Sequence, residues 1–280
     1  MKIKMPVDVR MIIDRIEKNG FSAYAVGGCV RDSLLQKEPN DWDICTNALP
    51  TDILRIFQDF HTFDAGIKHG TVSVVVNSVV YEITTFRIDG EYFDNRHPEN
   101  VEFTDDLITD LSRRDFTVNA MAYSERTGLV DPFDGAYDLE LMAVRCVGNP
   151  VLRFNEDALR IMRALRFASC YNMAIEKHTA QAIFECKNLL KNIAAERIVS
   201  EFNKLVCGES CEYILRRFKT VFAEFLPEIT IMFGYEQHTP HHNKTLWRHT
   251  TCAMTNIDPE PLLRITMLLH DLGKPMACKK

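Results

Sequence analysis

Two carboxylates separated by one residue, Asp41 and Asp43, stand in a stretch that the sequence predicts as a strand from Asp41 to Cys45. Alternate residues of a strand face the same side, so the two side chains would lie together. Like charges this close repel unless a cation lies between them, and carboxylate oxygens suit a divalent ion. Such pairs are also common on exposed surfaces. Glu82, within the β-rich run 79–86, either faces solvent or lines the same site.

A glycine pair, Gly27-Gly28, follows a predicted strand and opens a short predicted helix. Glycines allow a phosphate to approach the backbone N–H groups at a helix start. Arg31 adds a positive charge, and we assign Asp32 to positioning Arg31 rather than to binding metal. Phosphate binding beside paired carboxylates predicts metal-assisted chemistry on a nucleotide. One cation would activate an attacking hydroxyl, and a second would stabilise the leaving pyrophosphate, without a side-chain nucleophile.

The elements that position these residues predict an α+β fold. Apolar residues recur at helical spacing from Val9 to Ile16, and Gly20 stands where a helix would end. Two β-rich runs meet at Asn77-Ser78, which is typical of a hairpin. After Pro150 the strand signals give way to helical ones. We therefore expect a mixed or antiparallel sheet with flanking helices, followed by an all-α region.

Composition narrows the class of protein. The 280 residues are 46% hydrophobic, with no apolar run of the roughly 18 residues that a membrane span needs. The N-terminus lacks the pattern of a secretory signal, and nine cysteines occur without a Cys-x-x-Cys motif. These features predict a cytoplasmic protein with reduced thiols. Net charge is −6, with the acidic excess in residues 1–150; a more basic region follows, which fits a polyanion partner or simply solvated faces.

The segment Val26 to Leu35, taken with Asp41 to Ile44, resembles the signature of class II tRNA nucleotidyltransferases in the polymerase-β-like superfamily. Three later segments resemble further motifs of that family, in the same order: Arg113 to Ala120, Asp131 to Leu139 and Glu156 to Arg160. One departure is Gln36, where the family usually has glycine.

The resemblance implies a polymerase-β-like head over residues 1–148, a helical neck over 149–206 and a helical body over 207–280. It implies addition of C, C and A to the 3′ end of tRNA from CTP and ATP, with two Mg²⁺ ions and without a template. The implied catalytic residues are Asp41, Asp43 and Glu82, of which Asp41 and Asp43 bind metal. The implied nucleotide-binding residues are Gly27, Gly28, Arg31, Arg114, Asp115, Asn119, Asp157, Arg160 and Arg163.

Asp157 and Arg160 are three residues apart and are predicted to share one face of a helix. Asp accepts hydrogen bonds and Arg donates them. Cytosine and adenine both present an exocyclic amine beside a ring-nitrogen acceptor, whereas guanine and uracil present the reverse. The pair would therefore accept C and A. Alone, the same spacing would indicate an ordinary surface salt bridge.

The substrate remains open within the family. Bacterial poly(A) polymerases resemble the same head, but residues 65–72 are similar to the tRNA-directed members. Arg87 to Glu102, predicted as a long loop, has full length, which disfavours an enzyme adding only C residues. An enzyme adding only A stays open, as does oligomeric state.

Near the C-terminus, residues 247–249 and 268–275 resemble the start of an HD-type metal phosphohydrolase domain. His249, His270 and Asp271 would supply three ligands, while the usual last Asp would lie beyond Lys280. We therefore expect a fragment of a longer protein. An HD-type phosphohydrolase and a non-catalytic RNA-binding module are the competing hypotheses.

Overall fold

The structure, a computed structural model, describes residues 2–64, 66–90, 101–237 and 244–277. Its contacts divide the chain into two compact units. The first holds the described residues up to Leu141 together with Arg145–Gly148, and the second holds Met142–Val144 and those from Asn149 onward. Among the described residues, no helix combines the length and apolar character needed to cross a bilayer.

The first unit is built on a seven-stranded sheet. Its helices are α1 (Val7–Lys18), α2 (Gly28–Leu34), α3 (Pro50–Ile56), α4 (Leu107–Ser112) and α5 (Gly135–Glu140). Its strands are β1 (Ala23–Val26), β2 (Ile44–Thr46), β3 (His61–Phe63), β4 (Thr71–Val76), β5 (Val79–Thr85), β6 (Arg87–Asp89), β7 (Val101–Phe103), β8 (Ala122–Ser124) and β9 (Gly128–Val130). The large sheet has the order β3-β4-β5-β2-β1-β8-β9.

The sheet is mixed, as predicted. β2 and β5 run parallel, with Ile44 opposite Ile83, whereas the other neighbouring strands are antiparallel. The alternation of β4 buries Val72, Val74 and Val76. Helix α1 buries its apolar stripe, as the helical spacing predicts, and ends before Gly20 at φ 89°.

The predicted strand Asp41–Cys45 is wrong in its bounds. β2 begins at Ile44, and both aspartates precede it, outside any helix or strand. The antiparallel ladder continues to Asp43, whose carbonyl accepts from the Val26 N–H at 3.0 Å. There β1 ends, because Gly27 turns the chain away with φ 78° and ψ −125°. The carboxylates therefore stand at the end of the sheet rather than on its surface.

The predicted loop from Arg87 to Glu102 is ordered at both ends. β6 and β7 pair antiparallel, with Arg87 opposite Phe103 and Asp89 opposite Val101. The middle of the predicted loop, residues 91–100, lies outside the described residues.

The second unit is mainly helical, so the α+β class is confirmed. Its helices are α6 (Pro150–Glu156), α7 (Leu159–Cys170), α8 (Lys177–Cys186), α9 (Ala195–Val206), α10 (Cys211–Arg217), α11 (Lys219–Phe222), α12 (Leu246–Thr255), α13 (Pro261–Leu269) and α14 (Lys274–Ala277). The unit also contains two short parallel strands, β10 (Ala143–Val144) and β11 (Ala174–Ile175). Helix α9 buries Ile198, Phe202 and Leu205 on one face and packs against α7.

Candidate active site

Asp43 and Glu82 stand at the same level of the parallel pair β2–β5. Ile44 is opposite Ile83, so the residues just before them, Asp43 and Glu82, are brought side by side at that end of β2. Asp41 lies two residues earlier, close enough for its charge to act on Asp43. The structure thus brings together the three carboxylates that the sequence singled out, although their metal-binding and catalytic roles stay predictions.

Loss of hydration, together with nearby negative charge, raises the pKa of Asp43 to about 6, from an ordinary value of 3.8. The residue as a whole is exposed, yet its carboxylate has lost part of its hydration, which is the largest cause. The charges of Asp41 and then Glu82 act in the same direction, while Arg114 opposes them. A cation bound among these oxygens would relieve the repulsion.

Gly27 forms the turn that faces Arg114. Its φ of 78° favours glycine, and a Cβ built on it would lie 2.9 Å from Arg114 Nη1. By contrast, a Cβ on Gly28 would meet nothing closer than 3.7 Å. The two glycines of the motif therefore differ: a side chain at Gly27 would displace the Arg114 guanidinium and strain the turn, whereas Gly28 simply begins α2.

Arg31 is buried and held by neighbouring side chains. Its Nε and Nη2 donate to the two carboxylate oxygens of Asp32, both at 2.9 Å, and its Nη1 donates to Asn119 Oδ1 at 2.5 Å. Asn119 Nδ2 donates in turn to Asp115 Oδ1 at 3.1 Å. The pairing of Asp32 with Arg31 agrees with the sequence prediction. The chain of bonds joins α2 to the segment of Asp115 and Asn119 and fixes both.

The motif that begins at Asp131 supports the turn Thr117–Asn119. Asp131 accepts from the N–H groups of Gly135 and Ala136 at 2.7 and 2.8 Å, which fixes the start of α5. A side chain on Gly135 would collide with the Thr117 carbonyl, so only glycine allows α5 to lie this close. The buried Asp138 of α5 accepts from Thr117 Oγ1 at 2.6 Å.

Asp110 is a buried carboxylate that the sequence reasoning missed. Its Oδ1 accepts from Arg113 Nε and Nη2 at 3.0 and 2.9 Å and from the backbone N–H of Arg87 at 3.2 Å. Its Oδ2 lies 3.5 Å from Arg114 Nη2. Asp110 lies on α4 and precedes the two arginines, which follow the end of that helix, by three and four residues; this spacing could have identified it. It links β6 to the two arginines.

Cys29, the residue after the glycine pair, lies buried behind Asp43. Burial, and then the charge of Asp43, raise the pKa of its thiol to about 12. The thiol therefore stays protonated at neutral pH and is no nucleophile.

In the second unit, Asp157 and Arg160 do not share a helix, so that prediction is wrong. Helix α6 ends at Glu156, and Asp157 has extended backbone angles, φ −137° and ψ 104°. Its Oδ1 accepts from the Leu159 N–H at 3.0 Å and thereby stabilises the start of α7. The sequence pattern stays helical through this break, because the capping residue Asp157 hardly changes the spacing of the residues on either side of it.

Other charged groups hold the two side chains. Arg160 is largely buried, and its Nη1 donates to Glu156 Oε2 at 2.7 Å. Asp157 Oδ2 lies 3.5 Å from Arg197 Nη2, a partner from α9 that the sequence reasoning also missed. Each member of the predicted base-selecting pair is thus oriented by a countercharge from elsewhere in the unit.

Arg163 and Arg166 lie on α7 in different surroundings. Arg166 forms an ion pair with Glu201 of α9, with 2.6 Å between Nε and Oε2, and its guanidinium lies 4.3 Å from the Phe167 ring centre. The Arg163 guanidinium lies 5.7 Å from the same ring centre. The ion pair of Arg166 favours a structural role for it. Nucleotide binding by Arg163 stays a prediction from the sequence.

His249, His270 and Asp271 come together in the second unit, as the HD-type resemblance implies. Their potential ligand atoms all lie within 4.8 Å of one another. Asp271 Oδ2 is 3.2 Å from His270 Nε2 and 4.0 Å from His249 Nε2. The same oxygen also accepts from Lys274 Nζ at 2.6 Å. A metal ion would have to compete with this ammonium group.

Comparison with known proteins identifies the family. Residues 23–145 match the family model of the poly A polymerase head domain, and residues 172–232 match a model described as the probable RNA and SrmB-binding site of polymerase A. A CCA-adding enzyme of Lactococcus lactis subsp. cremoris is 39% identical over 287 residues, covering 97% of this chain and 70% of its own length. The chain belongs to the bacterial CCA-adding enzyme and poly(A) polymerase family.

Two further CCA-adding enzymes are similar to this chain. A CCA-adding enzyme of Limosilactobacillus reuteri is 47% identical over 214 residues, covering 75% of this chain and 53% of its own length. The Bacillus stearothermophilus CCA-adding enzyme, known from a crystal structure in complex with CTP, is 33% identical in sequence to this chain. Its TM-score is 0.71, and the match covers 97% of this chain and 69% of that one. The chain thus spans about half the length of the first of these curated relatives.

Family membership confirms the predicted polymerase-β-like head. The head-domain match contains the glycine turn, the three carboxylates and the segment of Arg114 and Asn119. The cluster of His249, His270 and Asp271 lies beyond both family models, and its function stays a prediction.

Proposed function

We propose that the chain is the catalytic and nucleotide-selecting part of a tRNA nucleotidyltransferase that adds C, C and A to the 3′ end of tRNA from CTP and ATP. The observation that carries this proposal is the grouping of Asp41, Asp43 and Glu82 beside Arg114, which in turn faces the Gly27 turn. The names of the curated relatives, and the CTP bound to the Bacillus stearothermophilus enzyme, support it.

The carboxylates fit Mg²⁺. They are hard oxygen ligands, and the raised pKa of Asp43 reflects a partly dehydrated carboxylate beside the negative charges of Asp41 and Glu82, which a cation would neutralise. Asp41 and Asp43 would hold the metal, with Glu82 assisting. Magnesium bound there would activate the RNA 3′-hydroxyl and stabilise the leaving pyrophosphate.

The other residues of the head bind and orient the nucleotide. Arg114 places its positive charge opposite the backbone of the Gly27 turn, where it would neutralise a triphosphate. Asp115 and Asn119, fixed through Arg31, would contact the ribose. The RNA hydroxyl is the nucleophile, so no covalent enzyme intermediate forms.

Base selection falls to Asp157 and Arg160, and Arg163 would contact the triphosphate or the tRNA backbone. Asp157 would accept from the exocyclic amine of cytosine or adenine, and Arg160 would donate to the neighbouring ring nitrogen. With guanine or uracil, a carbonyl acceptor of the base would face the Asp157 carboxylate, and an N–H donor of the base would face the Arg160 guanidinium. Glu156 and Arg197 keep the two side chains oriented, which a selecting pair requires.

The test is incorporation of labelled nucleotide into tRNA that lacks its CCA end, with Mg²⁺ and each of the four nucleoside triphosphates. Sequencing the products distinguishes CCA addition from A-only addition and from a poly(A) tail. We expect CCA, lost in Asp41→Asn and Asp43→Asn. Absence of incorporation by a folded chain that binds tRNA would instead support the non-catalytic RNA-binding module. Activity on tRNA also accounts for the cytoplasmic location that we propose.

The cluster of His249, His270 and Asp271 favours a second candidate, an HD-type metal phosphohydrolase. Two imidazoles and a carboxylate are a ligand set suited to transition metals. Phosphatase activity that is lost in His270→Ala and kept in Asp43→Asn would support it.

A further inference from the structure

Asp110 of α4 is a buried carboxylate whose two oxygens have different surroundings. Its Oδ1 accepts from the Arg113 guanidinium at 3.0 and 2.9 Å and from the Arg87 backbone N–H at 3.2 Å. Its Oδ2 has no hydrogen-bond partner among the described residues and lies 3.5 Å from Arg114 Nη2. Asp110 is 1% exposed, and a carboxylate buried to this extent needs cations beside it. Asp110 therefore acts on Arg114 through charge at close range.

Arg114 presents two different corners of its guanidinium to its surroundings. Nη2 faces Asp110, whereas Nη1 would lie 2.9 Å from a Cβ built on Gly27. Its Nε is buried and has no hydrogen-bond partner in the part of the chain that the structure describes. Because the guanidinium group is planar and rigid, a carboxylate that attracts Nη2 also sets the direction of Nη1. Asp110 thereby directs Arg114 towards the Gly27 turn.

Asp110 does not cancel the charge of Arg114. Arg113 donates two hydrogen bonds to Oδ1, so Asp110 already has a countercharge. The charge of Arg114 also reaches Asp43, where it opposes the rise in pKa. Two guanidinium groups thus share one carboxylate, and Arg114 keeps positive charge for an anion at the turn.

The core of the first unit fixes Asp110 relative to the Gly27 turn. Leu111, the next residue of α4, is fully buried in an apolar cluster. The same cluster contains Val26, which precedes Gly27, and Cys45 of β2. A side chain that stands on such packed elements can hold a partner to within about 0.5 Å, as a binding site requires.

We propose that Asp110 is a positioning residue for the triphosphate, which orients Arg114 so that Nη1 faces the β- and γ-phosphates of a nucleotide at the Gly27 turn. The proposal rests on the proposed function, which assigns Arg114 to the triphosphate. Arg113 holds the other oxygen of Asp110 and keeps the carboxylate in place. The arrangement favours a nucleoside triphosphate over a nucleoside monophosphate.

The experiment measures the dissociation constants of CTP and of CMP with Mg²⁺ and without tRNA, so that no turnover occurs. Asp110→Asn removes the charge with little change in size. It should weaken CTP binding by about tenfold, because Arg114 loses its orientation. CMP binding should stay within about twofold, because CMP lacks the phosphates that Arg114 would contact. Asp110→Glu keeps the charge but displaces the carboxylate, so it should weaken CTP binding by about threefold, and it replaces Asp110→Asn if that variant does not fold.

A double-mutant cycle separates positioning of Arg114 from a general effect on the fold. In Arg114→Ala there is no guanidinium to orient, so adding Asp110→Asn should change CTP affinity by less than about twofold. The matched control is Glu224→Gln in the second unit. It removes a carboxylate that pairs with Lys187 and Lys191 at 2.6 and 3.1 Å. Both dissociation constants should stay at the wild-type values in this control.

Unchanged or tighter CTP binding in the Asp110 variants would overturn the proposal, because loss of negative charge would then matter more than the orientation of Arg114. Equal losses of CTP and CMP affinity would also overturn it, as would the same loss of CTP affinity with and without Arg114. Failure of the proposed function would show separately, as absence of CMP incorporation into tRNA by a wild-type chain that binds CTP.

Discussion

Gly27 and Arg114 are packed so that a Cβ at position 27 would lie 2.9 Å from Arg114 Nη1. The turn also needs a positive φ of 78°, which L side chains rarely adopt. This relationship links the glycine motif to the arginine motif nearly ninety residues away.

Gly27→Ala should therefore reduce kcat/KM for CMP incorporation by tenfold or more, because the methyl group displaces Arg114 and strains the turn. Gly28→Ala is the control, since its Cβ meets nothing closer than 3.7 Å. It should keep activity within a few-fold. Steady-state incorporation assays on both variants check this, and equal losses would show that space at Gly27 is unimportant.

The titration of Asp43 should appear in stability. Its folded pKa of about 6 exceeds the ordinary 3.8, so the folded state disfavours the ionised carboxylate. The metal-free protein should therefore lose stability as pH rises from about 4 to 6, and Asp43→Asn should not show this component. Urea unfolding in EDTA should give a difference between variant and wild type that grows over this window and then stays constant.

Mg²⁺ should compete with the proton at the same carboxylate. Its apparent affinity should fall as pH drops below about 6, because protonated Asp43 is a poor ligand. Titration with Mn²⁺, followed by electron paramagnetic resonance at pH 5 and 7.5, measures this. A pH-independent affinity would contradict the assignment of Asp43 as a ligand.

Glu156 should control base selection through Arg160. Without its carboxylate, the 2.7 Å bond to Arg160 Nη1 weakens and the guanidinium can rotate. Glu156→Gln should lower the ratio of kcat/KM for CTP to that for UTP by about tenfold, which corresponds to about 1.4 kcal/mol. Glu185→Gln, an exposed change on α8, should leave the ratio unaltered. An unchanged ratio in Glu156→Gln would remove Glu156 from this role.

The backbone conformation at Gln36 explains why the family usually has glycine at this position. It follows α2 with φ 58°, the left-handed conformation that glycine adopts without strain. Gln36→Gly should raise the free energy of unfolding by about 0.5–1 kcal/mol. Gln181→Gly, inside α8, should lower it by about 1 kcal/mol. Urea unfolding midpoints at constant slope test both, and destabilisation by Gln36→Gly would contradict the explanation.

In the first unit, the sequence predicted which residues belong to the candidate site better than it predicted their geometry. Motif spacing identified Asp41 and Asp43, but not that they precede β2, because strand propensity does not reveal where the turn at Gly27 ends the ladder. Likewise, the helical pattern around Asp157 hides the break between α6 and α7. Asp110 and Arg197 could be recognised only through their partners, since the chain brings distant charges together in folding.

The most direct test of metal and nucleotide binding at the aspartates is a crystal structure with a non-hydrolysable CTP analogue and Mn²⁺, located by anomalous scattering. We predict manganese bound by Asp41 and Asp43, with the triphosphate beside Arg114 and the Gly27 turn. Manganese found only at His249, His270 and Asp271, with the aspartates free of metal in the presence of bound nucleotide, would contradict catalysis by these aspartates.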